Sequence, residues 1–130
     1  MIIKLDFSSN TPIYVQLRNQ IVMGIGRGDL SYGESLPTVR QMAEDIGVNA
    51  MTVNKAYAIL KNEGFIIIDR RHGAKVNPVP DRNMEFKEKI ESELSLVISE
   101  ASVKGIDKDE FMKMCVKIFN EIKISDPVTE

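Results

Sequence analysis

The side chains of this chain that could do chemistry are mostly hydrogen-bond donors standing close together. Arg70-Arg71-His72-Gly73 sets consecutive cationic and imidazole donors at one spot, Thr52, Asn54 and Lys55 crowd another, and Arg40 opens a short apolar pattern. Hydroxyls, amides and guanidinium forks of this kind suit phosphate oxygens and base edges. Catalysis is poorly served. His72 is the single histidine and Cys115 the single cysteine, and no carboxylate pair is set in an apolar stretch where it could share acid and base roles. The same scarcity excludes a zinc cluster and an internal disulfide, so no metal and no cofactor are expected.

The elements that must position these donors follow from periodicity. Thr11-Pro12 reads as a helix start with Thr11 as cap and the proline in the first turn, where its missing N–H costs nothing. Tyr14, Leu17, Ile21 and Ile25 then recur at three and four residues until Gly26 and Gly28 break the pattern, which predicts a first helix over about 12–26. Thr38 and Gln41 form a capping box before Val39, Met42, Ala43 and Ile46, predicting a second helix over about 39–46 that ends at Gly47. Asn49 caps a third, with Val53, Ala56, Tyr57 and Leu60 on one face and Glu63-Gly64 at its close. Short helices joined by Gly47-Val48-Asn49 spell a helix-turn-helix.

After Gly64, the branched run Phe65-Ile66-Ile67-Ile68, the polar tip 69–73 and Ala74-Lys75-Val76-Asn77 read as a β-hairpin. Three helices followed by a two-stranded wing are a winged helix. The opening Ile2-Ile3-Lys4-Leu5-Asp6 is strand-like in composition but too short to assign.

Side chains step round a helix by about 100° per residue, so the apolar row of the third helix turns Met51, Lys55, Ala58 and Asn62 outward, flanked by Thr52 and Asn54. No acid lies between Gly47 and Asn62, and that face suits a major groove, with amides and hydroxyls at base edges and Lys55 at a phosphate. Met51 is either a stray surface methionine or an apolar contact to a thymine methyl. Arg40 stands in the first turn of its helix, where the dipole disfavours a cation by up to about 1 kcal/mol. It serves either a guanine edge or phosphate, or an ion pair with Glu44. The wing-tip donors are either merely solvated or a backbone or minor-groove contact, and His72 could also pair with Asp69.

Charge separates along the chain. Residues 1–77 carry nine Lys and Arg against seven acids, +2, and residues 78–130 carry eight against twelve, −4, giving the net −2. The proline-rich Asn77-Pro78-Val79-Pro80-Asp81 marks the boundary. The expected domains are a DNA-binding domain over 1–77, a linker over 78–83 and a helical tail over 84–130.

In that tail Phe86, Ile90, Leu94, Val97, Ile98 and Ala101 form one apolar stripe. Asp107 and Glu110 cap a second helix with Phe111, Met114, Cys115, Ile118, Phe119 and Ile122 inward. Two helices cannot bury both stripes alone, so a second copy is the expected partner and these residues the dimerisation set. The 130 residues hold no apolar run near the roughly 18 that span a bilayer, and residues 1–10 lack a secretion-signal pattern. A cytoplasmic protein without membrane contact is expected.

The series Pro12-Ile13-Tyr14-Val15-Gln16-Leu17, Gly28-Asp29-Leu30, Gly33-Glu34-Ser35-Leu36-Pro37-Thr38-Val39-Arg40-Gln41-Met42-Ala43, Gly47-Val48-Asn49, Thr52-Val53-Asn54-Lys55-Ala56-Tyr57, Leu60, Glu63-Gly64-Phe65 and His72-Gly73 resembles the N-terminal domain of GntR-family bacterial transcription regulators over about 12–76. The resemblance implies operator contacts from Arg40, from the first turns of the third helix and from His72-Gly73. With the exposed donors above, the candidate DNA-facing set is Thr38, Arg40, Asn49, Ala50, Met51, Thr52, Asn54, Lys55, Arg70, Arg71, His72 and Gly73. Family members often carry arginine or serine where Asn49, Ala50 and Met51 stand, and arginine where Asn54 stands; these departures concern base preference.

The short tail is similar to that of the YtrA subfamily, whose members commonly repress neighbouring transporter genes. The expected protein is mainly α with a small β-hairpin: an N-terminal winged helix-turn-helix plus a C-terminal two-helix dimerisation hairpin. Its expected function is a homodimeric, sequence-specific regulator binding a near-palindromic double-stranded DNA operator and repressing a transporter operon. A small molecule could lodge between the tail helices, but no residue pattern identifies an effector. The alternatives are a winged helix used only for protein interaction and, more remotely, an enzyme.

Overall fold

A computed structural model describes residues 2–71, 73–80 and 82–124. Its elements are α1 (Ile13–Gly26), α2 (Val39–Ile46), α3 (Ala50–Asn62), β1 (Ile66–Asp69), β2 (Gly73–Val76), α4 (Met84–Val103) and α5 (Lys108–Glu121). They fall into two compact units, Met1–Pro80 together with Lys123–Glu130, and Asp81–Ile122. None of the helices is long and apolar enough to cross a membrane.

The first unit is built round one face of α3. Val53, Ala56 and Leu60 are fully buried and Tyr57 is 2% exposed, packed among Leu17 and Ile21 of α1, Met42 and Ala43 of α2, Ile66 of β1 and Val76 of β2. Each large aliphatic side chain removed from water contributes about 1.5–3 kcal/mol, so this row holds the helices in place. Tyr57 adds direction: its hydroxyl donates to Pro37 O at 2.8 Å, fixing the approach to α2.

Helix ends follow local rules, with two corrections. Thr11 is not the cap of α1. Pro12 occupies the cap position with no side-chain cap, and Gln16 gathers the preceding chain instead, its Nε2 donating to Thr11 O (2.8 Å) and Asp6 O (2.9 Å). The Thr38–Gln41 box closes on one side only. The Gln41 N–H donates to Thr38 Oγ1 at 3.1 Å, but the Gln41 side chain does not return to the Thr38 N–H; its Nε2 donates forward to Asp45 Oδ1 at 2.7 Å, one turn along. At the C-terminus of α2, Gly47 takes the left-handed conformation (φ 71°) that glycine adopts without cost.

The opening residues form an extended arm rather than a strand. Gln20 and Gln16, one turn apart on α1, act as its pairing edge. The Lys4 N–H donates to Gln20 Oε1 (2.6 Å), Gln20 Nε2 returns a bond to Lys4 O, and the Asp6 N–H donates to Gln16 Oε1 (2.8 Å). The match is geometric, because alternate residues of an extended chain and successive turns of a helix advance by similar lengths, roughly 6 Å.

The wing is antiparallel, with Ile66 opposite Val76 and Asp69 opposite Gly73. The segment before α2 runs along the other side of β2. The Leu36 N–H donates to Ala74 O (2.8 Å), the Val76 N–H to Glu34 O (2.8 Å), and Ser35 bridges Lys75. The wing is thereby tied to the helix-turn-helix from both edges.

In the second unit, α4 is capped by Asn83, whose Oδ1 accepts from the Phe86 N–H (2.7 Å), and α5 by Asp107, whose Oδ1 accepts from the Glu110 N–H (2.9 Å). Neither helix has a buried residue.

Burial pushes the Tyr57 phenol up to about 12 from its ordinary 10.0. The unfolded chain releases this proton first, so the contribution is intact below about pH 10 and is lost as pH rises towards 12. Denaturant titrations at about pH 8 and about pH 11 are expected to show a smaller alkaline loss in Tyr57→Phe than in wild type, with Tyr57→Phe about 1 kcal/mol less stable at the lower pH. Equal alkaline losses would assign the effect to other groups.

Candidate nucleic-acid interface

The candidate surface begins at the start of α3. Asn49 is extended there (φ −79°, ψ 152°), and its Oδ1 accepts from the Thr52 N–H at 3.1 Å. This satisfies one of the free N–H groups of the first turn. Because the core row is buried, the opposite residues face outward: Ala50, Asn54 and Lys55 are exposed, Met51 is 79% exposed and Thr52 is half-buried. The first turn carries no acid, so its positive end keeps its attraction for an anion.

Arg40, the second residue of α2, is exposed. Its alternative partner, Glu44, is not engaged: among the described residues Arg40 makes no ion pair and no hydrogen bond. The guanidinium fork is uncommitted. Thr38, also exposed, uses its hydroxyl oxygen to cap α2 and retains the hydroxyl proton for donation. Thr38, Arg40 and the α3 donors therefore belong to one helix-turn-helix held by α2–α3 packing.

The wing tip is a separate projection. Arg70, Arg71 and Gly73 are exposed, and Asp69 Oδ1 accepts from the Arg71 N–H at 2.8 Å, bending the chain at the tip. Gly73 has φ +74° with open space where a Cβ would stand, so backbone conformation and not crowding requires glycine. His72, and with it the pairing to Asp69, lies outside the described residues.

Spacing did not reveal what lies beside Lys55. Its Nζ sits 4.2 Å from the centroid of the Tyr14 ring, on α1. One turn along α1, Arg18 stacks on Phe65 at 5.2 Å and grips Glu63 through Nε (2.9 Å) and Nη2 (3.1 Å), tying α1 to the end of α3 and the start of the wing. The only sequence signal for either was the presence of an aromatic and a basic residue in separate, distant segments. Among the described residues there is no cluster of histidine, cysteine, aspartate and glutamate able to hold a metal ion.

Of the dimerisation set, Phe86, Phe111 and Cys115 are half-buried. Ile90, Leu94, Val97, Ile98, Met114, Ile118, Phe119 and Ile122 are exposed, from 43% at Ile90 and Ile122 to 73% at Phe119.

A helix-turn-helix with an acid-free third helix, a basic wing and a helical tail defines a winged helix with an appended helical unit. A family model for bacterial regulatory proteins of the gntR family matches residues 13–76. The HTH-type transcriptional repressor YtrA of Bacillus subtilis strain 168 is 32% identical over 127 residues, 93% of this chain and 95% of its own. Among solved structures, a transcriptional antiterminator from Listeria monocytogenes EGD-e superposes with TM-score 0.84 at 26% identity, covering 100% of this chain and 98% of that one. YtrA from Sulfolobus acidocaldarius, a GntR-family transcription factor, superposes with TM-score 0.61 at 37% identity over 75% of this chain and 99% of that one. The chain belongs to the GntR family of bacterial regulatory proteins, in its YtrA-like branch, a family of DNA-binding regulators.

The Asn49 cap supports the whole candidate surface and can be tested apart from its charge. Asn49→Ala is expected to lower stability by about 1 kcal/mol. Asn49→Asp should keep the cap and the melting temperature while weakening DNA binding, since it adds a carboxylate to an acid-free face. Thermal melts paired with DNA titrations check both; undiminished binding by Asn49→Asp would remove this end of α3 from the interface.

Proposed function

We propose that this protein is a homodimeric, sequence-specific DNA-binding repressor, each protomer placing the N-terminal half of α3 in a major groove and its wing against the flanking backbone. The observation that carries this reading is the set of uncommitted donors on one helix-turn-helix: Arg40, without an ion pair among the described residues, and Thr52, Asn54 and Lys55 beside an acid-free helix start. Thr38, Asn49, Ala50 and Met51 complete the groove-facing set, with Met51 against a thymine methyl. Arg70, Arg71, His72 and Gly73 form the wing contact.

The tail supports a two-fold partner. The dimerisation tail is residues 84–130, of which 84–122 lie in the second compact unit, and residues 78–83 are the linker. Phe86, Ile90, Leu94, Val97 and Ile98 of α4 and Phe111, Met114, Cys115, Ile118, Phe119 and Ile122 at and beside α5 bury their apolar stripes against a second copy. Two-fold symmetry demands a near-palindromic operator with half-sites about one helical turn, roughly 10 base pairs, apart. Repression is supported by the likeness to the YtrA repressor, and a neighbouring transporter operon and a cytoplasmic location by the resemblance to that subfamily. No effector is assigned.

Mobility-shift titration on the intergenic DNA beside its own gene tests the reading. If about four or five cations per protomer meet phosphates, log affinity against log salt should slope at about −7 to −9 for the dimer. A slope near −2, or no shift, would leave a protein-interaction module. In the same titrations Arg40→Ala should cost about 1–3 kcal/mol on operator and relax preference at one base pair, whereas Lys55→Ala should weaken every sequence alike. Equal losses on operator and random DNA for both would remove Arg40 from base reading.

A further inference from the structure

Two cations rest on aromatic rings where α1 meets its neighbours, and they are satisfied in opposite ways. Arg18 stacks on Phe65 and spends its donors on Glu63 in a bidentate pair, which cancels its charge. Lys55 rests on Tyr14, with its ammonium 4.2 Å from the ring centroid, and among the described residues it has no carboxylate partner and no hydrogen bond. Lys55 is exposed and Tyr14 half-buried, so the pair stands at the surface with the ring as its inner wall.

The difference matters for an anionic ligand. A carboxylate would restrain Lys55 but would also occupy its N–H donors and neutralise its field. An aromatic face attracts the ammonium through its quadrupole and leaves donors and positive charge available. A free lysine carries substantial rotamer entropy, part of which is lost when it fastens on a phosphate. Tyr14 narrows that freedom before DNA arrives.

We propose that Tyr14 is a positioning residue for DNA binding: its ring holds the Lys55 ammonium, charged and unpaired, in place for a backbone phosphate. The proposal rests on the DNA-binding reading above and brings α1 into the interface through a side chain that need not touch DNA itself.

The test is a double-mutant cycle on the full chain, read by titration with operator DNA. Tyr14→Leu is expected to lower affinity about 2- to 5-fold, and Tyr14→Phe, which keeps the ring, to restore it. In a Lys55→Ala background, Tyr14→Leu should have no further effect. The same loss in that background would show that Tyr14 acts by another route. A loss in Tyr14→Phe as large as in Tyr14→Leu would mean that the hydroxyl, and not the ring, matters.

A second readout needs neither DNA nor the leucine variant. The Lys55 ε-methylene protons of the free wild-type protein and of Tyr14→Phe should be shifted upfield by the ring current, and ordinary lysine shifts there would overturn the proposal. Failure of the wild type to bind DNA at all would sink the functional reading and this one with it. An additive cycle in a protein that binds DNA well would sink only this one.

Discussion

The burial of one row of α3 is the constraint on which the rest depends. Val53, Ala56, Tyr57 and Leu60 leave almost no surface in water, and a rigid helix buried along one line has no freedom to choose what its other faces show. Asn54 and Lys55 face outward because their neighbours face inward. The same row fixes the surroundings: Tyr57 holds Pro37 and so the approach to α2, while Arg18 grips Glu63 at the end of α3 and stacks on Phe65 where the wing begins. A change that loosened the row would disturb recognition helix, partner helix and wing together.

Much of this was legible in the sequence, because periodicity, caps and hairpin tips are decided within a few residues. The α3 core row, the Asn49 cap, the left-handed Gly47 and the hairpin after Gly64 needed only local rules. Thr11 resembles a cap because it precedes a proline, whereas in the fold it offers its carbonyl, which with Asp6 O accepts from the Gln16 amide. Pairing of residues 33–36 with β2 was invisible for a different reason. Glu34, Ser35 and Leu36 have no strand pattern of their own and pair only because tertiary packing lays them along an available edge.

The site divides in the same way. Residue types alone indicated which positions carry donors, but not whether those donors were already spent. In sequence Arg40 has an acid, Glu44, one turn along its helix, whereas Arg18 has none near it. In the fold Arg18 is locked to Glu63, whereas Arg40 stands clear of Glu44. A cation whose donors are occupied adds stability to the fold, and one whose donors are open adds affinity for an anion. Sequence spacing cannot separate the two, because the partner that decides comes from another helix.

The charge division bears on how weak units could make a tight complex. A net +2 in residues 1–77 gives little attraction to a polyanion, and the −4 of residues 78–130 opposes it. α3, with 13 residues, is about 20 Å long and can meet only a few base pairs. One copy is therefore poorly equipped to find a site or hold it. The proposed coupling of two copies through the tail would change this without any new contact to DNA, because binding of the first half-site would present the second at high effective concentration. The exposed apolar stripes of α4 and α5 are costly in a lone chain, and the proposed second copy would remove that cost while supplying affinity that the modest head charge lacks.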